Sequence, residues 1–552
     1  MADNKVNIYV GATSLRTCLG NKAETMVAMH NNESGLKYNE SFSMHVGAAN
    51  IKEIDGYTRF ESFLIEQLEN VLAESGIALS NPETQLIVST TKGNIDLLAE
   101  DSENISERAI LYSSVIHVAN SFGCAREPIV ISNACISGVS AFVVAREWLL
   151  SGKCQHAVVV GCDVLSEFIT TGFASFKSIS PQPCRPYDAE RDGLTLGEAA
   201  GAVVLTTDVT LVNGASIRLA GGAITNDANH ISGPSRTGDG LYYAISNAML
   251  EAGVGIEDIG FVNTHGTATR YNDDMESKAV AWAGLCGKPL NSLKGYIGHT
   301  LGASGVVETI LSIEQLRQSF IYGTHGFVSS DTTHALKVSS AEQPITHPCC
   351  VKTASGFGGC NAAIVLDMHP TSRSYIRSTR TCQVVAEYSL PQSDVSFAEF
   401  IRAEFKTLGQ SDMKFYKMSD MSKGLYIAVE RLLAKEGWDN VAPTRRAIVL
   451  ANRSASLDTD LAHQQVVNKR LPEGASPAIF VYTLANVSAG EMCIRHKIQG
   501  DNTFFVEEKE TGLAEEYARS LIETNRADAV ICGWCEYLKG NWNISIKLLK
   551  HI

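Results

Sequence analysis

Nowhere in the 552 residues does an apolar run approach the roughly 20 residues a membrane-spanning helix requires, so no membrane partner is expected. The first ten residues carry Asp3 and no long apolar core, which argues against a secretory leader and for a cytoplasmic location. Basic charge is in deficit: 46 lysines and arginines stand against 60 aspartates and glutamates, a net charge of -14. Such a surface repels phosphates and argues against nucleic acid or anionic membranes as partners. It still permits an acidic protein to dock on a local basic patch. The 14 cysteines are too sparse for a dense disulfide framework, and are expected to be buried, reduced thiols. His156, His230 and His369 show no paired metal-ligand spacing, so no metal is expected. What is present is a 45% hydrophobic, 19% charged composition, that of a globular protein with a large core. Its length implies more than one structural unit.

Short β-rich runs alternate with helical runs, the α/β pattern. Residues 6–11, 85–89, 128–132, 157–161, 202–206, 259–264, 350–355 and 362–366 read as buried strands. Residues 60–75, 140–151 and 305–319 read as helices. The helix after Cys135 carries Val139, Phe142, Val143, Val144, Trp148, Leu149 and Leu150, apolar on nearly every side, so it should be central. A polar, basic, proline-marked stretch at 369–381 reads as a linker. Beyond it the chain repeats itself. A shift of 361 brings Leu72-Ala-Glu-Ser-Gly76 onto Leu433-Ala-Lys-Glu-Gly437 and Ile87-Val88 onto Ile448-Val449. After an insertion, Ser137-Gly138 matches Thr511-Gly512, and 157–163 matches 529–536.

Four blocks carry candidate chemistry. In Ile129-Val-Ile-Ser-Asn-Ala-Cys135-Ile-Ser-Gly138 a strand turns into a buried helix, placing a thiol where unpaired backbone N–H groups and the helix dipole favour its thiolate. In Val262-Asn-Thr-His265-Gly-Thr267-Ala-Thr269 a strand ends in a histidine and two spaced threonines, with Asp273 and Glu276 following. In Lys294-Gly-Tyr-Ile-Gly-His299-Thr-Leu-Gly-Ala-Ser-Gly305 a second histidine precedes a second helix that holds Glu308. Thr353-Ala-Ser-Gly-Phe357-Gly-Gly-Cys-Asn361 is a glycine-rich turn between two strands. It lacks the following helix and Lys-Ser/Thr of a phosphate loop.

Together and in this order, the blocks resemble the β-ketoacyl-acyl carrier protein synthases of the thiolase superfamily, over residues from about 7 to 366. Cys184-Arg-Pro-Tyr-Asp188, Arg191-Asp-Gly193 and Gly197-Glu198 resemble that family's stretch between its two halves. The resemblance implies an α/β thiolase-like fold: two similar five-stranded halves stacked in five alternating layers. It divides the chain into a first half (1–210) with the nucleophile Cys135 and a second half (211–368) with both histidines. It implies that Cys135 takes an acyl chain as a thioester, with the backbone N–H groups of Cys135 and Phe357 as oxyanion hole and Phe357 as gate. His265 and His299 would hold the thioester carbonyl of malonyl-acyl carrier protein during loss of CO2. Lys294 and Glu308 would set the charge around His299, Asp273 would support, and Thr267 and Thr269 would bind the pantetheine arm. No cofactor is held permanently, substrates arriving on the phosphopantetheine of acyl carrier protein. That carrier and a second copy of the chain are the implied partners, and the product would enter fatty acid or polyketide/polyene synthesis.

A thiolase needs a second reactive cysteine in the final glycine loop, where Gly356-Phe-Gly-Gly359 has none; Cys360 lies beyond it and reads as core. An initiating synthase carries Asn at the place of His299. A non-condensing scaffold or chain-length factor would lack the thiol, and a malonyl-carrier decarboxylase would decarboxylate without condensing. In the repeated segment, 382–552, Lys509 or a neighbouring glutamate stands where Cys135 should, so this copy is expected to be catalytically silent. Cys532-Gly-Trp-Cys535 has dithiol spacing, but the residues after it continue into a strand rather than an activating helix.

Overall fold

A computed structural model describes residues 6–100, 105–212, 214–369, 380–469 and 474–552. Most of the expected linker, 370–379, lies outside the described residues. Apart from two two-residue strands at its edges (Gly20–Asn21 and Lys337–Val338), the strands of the main sheet system among the described residues fall into three groups of five. The first comprises β1 (Tyr9–Thr17), β2 (Thr84–Ser89), β3 (Ile129–Ile131), β4 (His156–Asp163) and β5 (Ala199–Thr206). The second comprises β6 (Arg218–Asn226), β7 (Ile259–Asn263), β8 (Pro289–Asn291), β9 (Cys349–Gly356) and β10 (Cys360–Asp367). The third comprises β11 (Cys382–Ser389), β12 (Arg446–Asn452), β13 (Asn502–Val506), β14 (Ala529–Leu538) and β15 (Asn541–His551). Each group has the spatial order first, fifth, fourth, second, third. In each the fifth strand is antiparallel to both neighbours and the second parallel to both.

The helices that matter for the site are α1 (Arg59–Ser75), α2 (Leu111–Ser121), α3 (Ser137–Leu150), α4 (Glu167–Ser175), α5 (Asp239–Ala252), α6 (Arg270–Trp282), α7 (Ser304–Gln318), α8 (Asp420–Lys435), α9 (Leu457–Lys469), α10 (Val487–His496) and α11 (Leu513–Glu523). Alternation along the strands sorts their side chains into separate cores. Leu86 and Val88 of β2 face α1 and α2, while Ile87 faces α3 and α7. Across α3 and α7 lie Phe261, Cys350 and Ile364 of the second sheet, whose other face (Val262, Val351, Val365) packs on α5 and α6. The five expected layers are therefore helix, sheet, helix, sheet, helix. As its sequence indicates, α3 is central, buried at every position from Ser137 to Leu149.

Two glycines set the crossing of the central pair. A Cβ on Gly138 would fall 2.8 Å from the Gly305 Cα, and one on Gly305 would fall 2.4 Å from the Val139 nitrogen. Only without side chains can α3 and α7 approach this closely, and the approach brings the loops before both helices together. These are the loops of Cys135 and His299.

The strand expected at 6–11 begins at Tyr9 and continues to Thr17. Its second half, with Thr13, Ser14 and Arg16, is polar in sequence, but antiparallel pairing to β5 satisfies its backbone. β6, β8 and β11 gave no strand signal: β6 contains two glycines, β8 has three residues, and β11 is a half-exposed edge.

The third group joins the first. β13 pairs antiparallel with β3, Phe505 opposite Ile131 and Val506 opposite Val130, so the two sheets run on as one. An open strand edge is a template for another chain; here the chain's own residues occupy it. A second copy of the chain therefore has no free β3 edge to pair with. Lys92 crosses this junction to Asp460 (2.6 Å), Ser456 (3.2 Å) and the Thr483 carbonyl. Among the described residues no single helix is long and apolar enough to cross a membrane.

Removing one partner of a buried ion pair strands the other charge, at a typical cost of about 3–5 kcal/mol. Lys92→Ala is expected to lower unfolding free energy by roughly that amount. Lys92→Met with Asp460→Leu should recover most of the loss in denaturant titrations.

Candidate active site

Three strand-to-helix connections converge on one point. Cys135 lies in a single 3-10 turn, Ala134–Ile136, between β3 and α3, preceded by Ala134 at φ +46°. Leu301, two residues after His299, has φ +53°, and Ala268, between the two threonines, φ +63°. Non-glycine residues in the left-handed region cost about 1–3 kcal/mol each and persist only where the surroundings dictate the turn. The Cys135 sulfur and a ring nitrogen each of His265 and His299 lie within 4.8 Å of one another. The two rings stand nearly perpendicular, centroids 5.0 Å apart. This trio has donors that could also take a metal ion.

His265 is fixed from both sides. The Glu276 carboxylate on α6 accepts the N–H of His265 (2.8 Å) and of Gly266 (2.6 Å), and the Tyr187 hydroxyl (3.0 Å). The Lys294 ammonium donates to His265 Nδ1 (3.2 Å), to the His265 carbonyl (2.6 Å) and to Glu308 (2.6 Å). Against the expectation that Lys294 and Glu308 attend His299, the Lys294 hydrogen bond goes to His265 and Glu308 contacts Lys294 rather than either ring, while the Lys294 charge still acts on His299. His299 Nδ1 instead accepts the backbone N–H of Leu301 (3.1 Å), with the Ser304 hydroxyl at 3.1 Å. An ammonium at one Nδ1 and a peptide N–H at the other leave both imidazoles protonated at Nε2. Burial holds both histidines well below their usual 6.5, and the Lys294 charge adds to it. They are neutral donors at physiological pH.

Burial also governs the thiol. It pushes Cys135 up to about 12, offset in part by the Lys294 charge and by N–H bonds from Phe357 and Cys135 itself. The thiolate preference expected from the helix terminus is outweighed, so the resting group is a thiol. Those same two N–H groups converge at the sulfur, a pair of donors suited to an anionic oxygen. Gly356 lets the loop come this close, since a Cβ there would sit 3.1 Å from the Cys135 nitrogen.

A cavity of about 270 Å³ holds these groups, with Thr267, Thr269 and Phe357 on its walls. The threonine hydroxyls are bonded to each other at 2.9 Å. Phe357 stacks on Phe173 (6.0 Å) and tilts on Phe176 (5.2 Å). Asp273 does not line the cavity. It accepts the Tyr187 N–H (2.8 Å) and faces Arg191 (3.6 Å), tying the 184–193 stretch to the His265 loop. Cys360 is core: its thiol donates to the Phe357 carbonyl at 3.2 Å.

Several contributors were not singled out from sequence. Lys352 in β9 donates to Glu308 (2.5 Å), so that carboxylate bridges two lysines. A lysine inside a strand buried from Cys349 to Ser355 was the available signal. Asp163 caps Thr91 N–H (3.1 Å) and Gly302 N–H (2.7 Å), joining the His299 loop to the first half. Phe480, from the third group, packs edge-on against Phe173 at 5.4 Å. In that group Glu508, Lys509 and Glu510 are exposed. Cys532 and Cys535 are buried in β14 and face different cores, not each other.

A sulfur, paired neutral imidazoles and paired N–H donors thus meet where the first and second five-stranded groups join, a set chemically able to carry an acyl thioester and to hold a carbonyl oxygen. The family description "Beta-ketoacyl synthase, N-terminal domain" matches residues 19–210, and "Beta-ketoacyl synthase, C-terminal domain" residues 217–328. The 3-oxoacyl-[acyl-carrier-protein] synthase 2 of Vibrio cholerae is 30% identical over 357 residues, 60% of this chain and 78% of the relative. Its namesake in Mycobacterium leprae is 34% identical over 245 residues, 42% of this chain. The chain spans 58% of the length of that mycobacterial relative. The chain belongs to the β-ketoacyl synthase family. Among solved structures, the PfaC keto synthase-chain length factor covers 99% of this chain at a TM-score of 0.79, with 14% identity and 78% of its own length matched. The Xenorhabdus doucetiae ketosynthase ApeO, in complex with its chain length factor ApeC, matches 66% of this chain at 24% identity and a TM-score of 0.60.

The thiolate fraction of a high-pKa thiol rises about tenfold per pH unit. Alkylation of Cys135 by iodoacetamide, followed by mass spectrometry, should therefore keep climbing at that slope from pH 7 to 9 without a plateau. Because the unfolded histidines protonate near 6.5 and the buried ones do not, folding stability should fall as pH drops below that value.

Proposed function

We propose that the chain catalyses decarboxylative Claisen condensation between an acyl group on Cys135 and malonyl-acyl carrier protein. The observation that carries this reading is one sulfur beside two imidazoles, all within 4.8 Å and both rings held as Nε2–H donors. In the first step the Cys135 sulfur attacks the carrier thioester, the carbonyl oxygen sits between the N–H groups of Cys135 and Phe357, and the pantetheine leaves as a thiol with the Cys135 proton. In the second, the malonyl thioester oxygen is held by Nε2–H of His265 and His299. The bond to the carboxylate breaks, CO2 leaves, and its electron pair forms an enolate stabilised by those two donors. That carbon attacks acyl-Cys135, giving the 3-oxoacyl thioester and restoring the sulfur. Thr267 and Thr269 are suited to hold the pantetheine arm.

Residues 382–552 act, on this reading, as an internal partner without a nucleophile of its own. The Asn486 amide donates to the Phe357 carbonyl at 2.8 Å, and Gly490 on α10 abuts Gly358, where a Cβ would meet the Gly358 oxygen at 2.6 Å. Phe480 presses on Gly172 of α4, behind Phe173. These contacts brace the loop that supplies one oxyanion donor and shape the far wall of the acyl pocket.

Assays with acyl- and malonyl-carrier proteins, read by mass spectrometry, distinguish condensation from decarboxylation alone or no turnover. Cys135→Ala should abolish 3-oxoacyl product and keep decarboxylation. His265→Ala or His299→Ala should lower both at least about a hundredfold. Retained condensation in Cys135→Ala would sink the proposal. Asn486→Ala should slow acylation of Cys135 while leaving the decarboxylation rate of Cys135→Ala/Asn486→Ala equal to that of Cys135→Ala.

A further inference from the structure

At the opposite end of the second sheet from the site, three potential ligands converge. Cys349 opens β9 and Asp367 closes β10; they are directly opposed across the ladder. His369 follows two residues later, a spacing that returns a side chain to the same side of an extended chain. The Cys349 sulfur is 3.4 Å from Asp367 Oδ1 and 3.6 Å from His369 Nδ1, and that nitrogen is 2.7 Å from the same oxygen. Around a tetrahedral zinc ion, with Zn–S about 2.3 Å and Zn–N or Zn–O about 2.0–2.1 Å, neighbouring ligand atoms stand about 3.3–3.6 Å apart. Two of the three edges already match, and the third needs to open by only about 0.6 Å.

The surroundings are those of a metal site as well. His369 Nε2 faces Asp258 Oδ1 at 3.5 Å, the carboxylate–histidine pairing that orients a ligating imidazole. Arg218, opposite Asp367 on β6, takes the other carboxylate oxygen (2.6 Å) and the His369 carbonyl (2.9 Å), which leaves Oδ1 turned toward the sulfur. Cys349 and Asp367 are buried, while His369 is 20% exposed in its side chain, an approach for an ion.

We propose that Cys349, Asp367 and His369 form a binding site for one divalent transition-metal ion of the zinc type, with Asp258 as positioning residue. On binding, the thiol proton is released to solvent, and the histidine proton moves from Nδ1 to Nε2, where Asp258 accepts it. Affinity therefore rises with pH. The site ties the start of β9 to the end of β10 and the residue group before β7. It lies at the strand ends remote from Cys135, so its role is structural.

The test uses the full chain carrying Cys135→Ala, which removes the other cysteine–histidine cluster. Chelator-treated protein is titrated with Co2+ and followed by absorption, and with Zn2+ in competition. One Co2+ per chain with a sulfur-to-cobalt charge-transfer band, displaced by Zn2+, is the expected result. Cys349→Ser should abolish the band, and His369→Gln should weaken binding. Asp258→Asn should weaken it by about tenfold or more. Absence of the band in the Cys135→Ala chain, or its survival in a folded Cys349→Ser variant, overturns the assignment. Should Cys349→Ser fail to fold, unchanged affinity in His369→Gln overturns it equally.

Discussion

The antiparallel pairing of β3 with β13 is the constraint from which the rest of this molecule follows. β3 has only three residues, ends four before Cys135, and has β2 on one side. With its other edge open it would be a short strand holding Cys135 at the margin of a sheet. Closing that edge with Val506 and Phe505 makes the strand internal, and its hydrogen bonds on both sides then hold the turn that presents the sulfur. Asn133 adds to this: its amide oxygen accepts the Phe504 N–H at 2.8 Å and its amide donates to the Asn502 carbonyl at 3.1 Å.

The same junction explains why the third group reaches the walls of the Cys135 cavity. Once β13 lies beside β3, the segment from Phe480 to Gly490 falls against the glycine loop and α4. Its contacts are of kinds that act through geometry: a carbonyl anchored by Asn486, a backbone approach permitted by Gly490, a ring wedged on Gly172. Two buried charge sets near the site and the junction are pinned by direct partners. Glu308 bridges two lysines and Lys92 meets Asp460.

α11 shows what the third group is adapted to. Its counterpart α3 is buried on all sides because a second sheet lies over it. α11 buries Ala514, Tyr517, Ala518, Leu521 and Ile522 but leaves Glu516 exposed, with Glu515 bonded to Arg519 and Lys547. A helix with that outer face is stable against water. Nothing apolar on it calls for another layer.

How much of this was legible in the sequence follows physical lines. Cys135, His265, His299 and the glycine loop were readable because a thiol, imidazoles and glycines stand at the ends of strands, and the alternation of apolar runs announced the α/β layers. The third five-stranded group has the strand order of the first two. Tertiary structure alone decided the rest. The Lys294 ammonium bonds His265, a partner 29 residues away that no linear spacing displays, while its charge also acts on His299. The thiol is raised rather than lowered because burial outweighs a helix terminus. The β3 edge is covered from within the chain, and Cys349 meets His369 through a strand pairing that no linear spacing displays. Sequence records which residues a local turn or a reaction requires; which distant groups become neighbours depends on packing the whole chain into one solution.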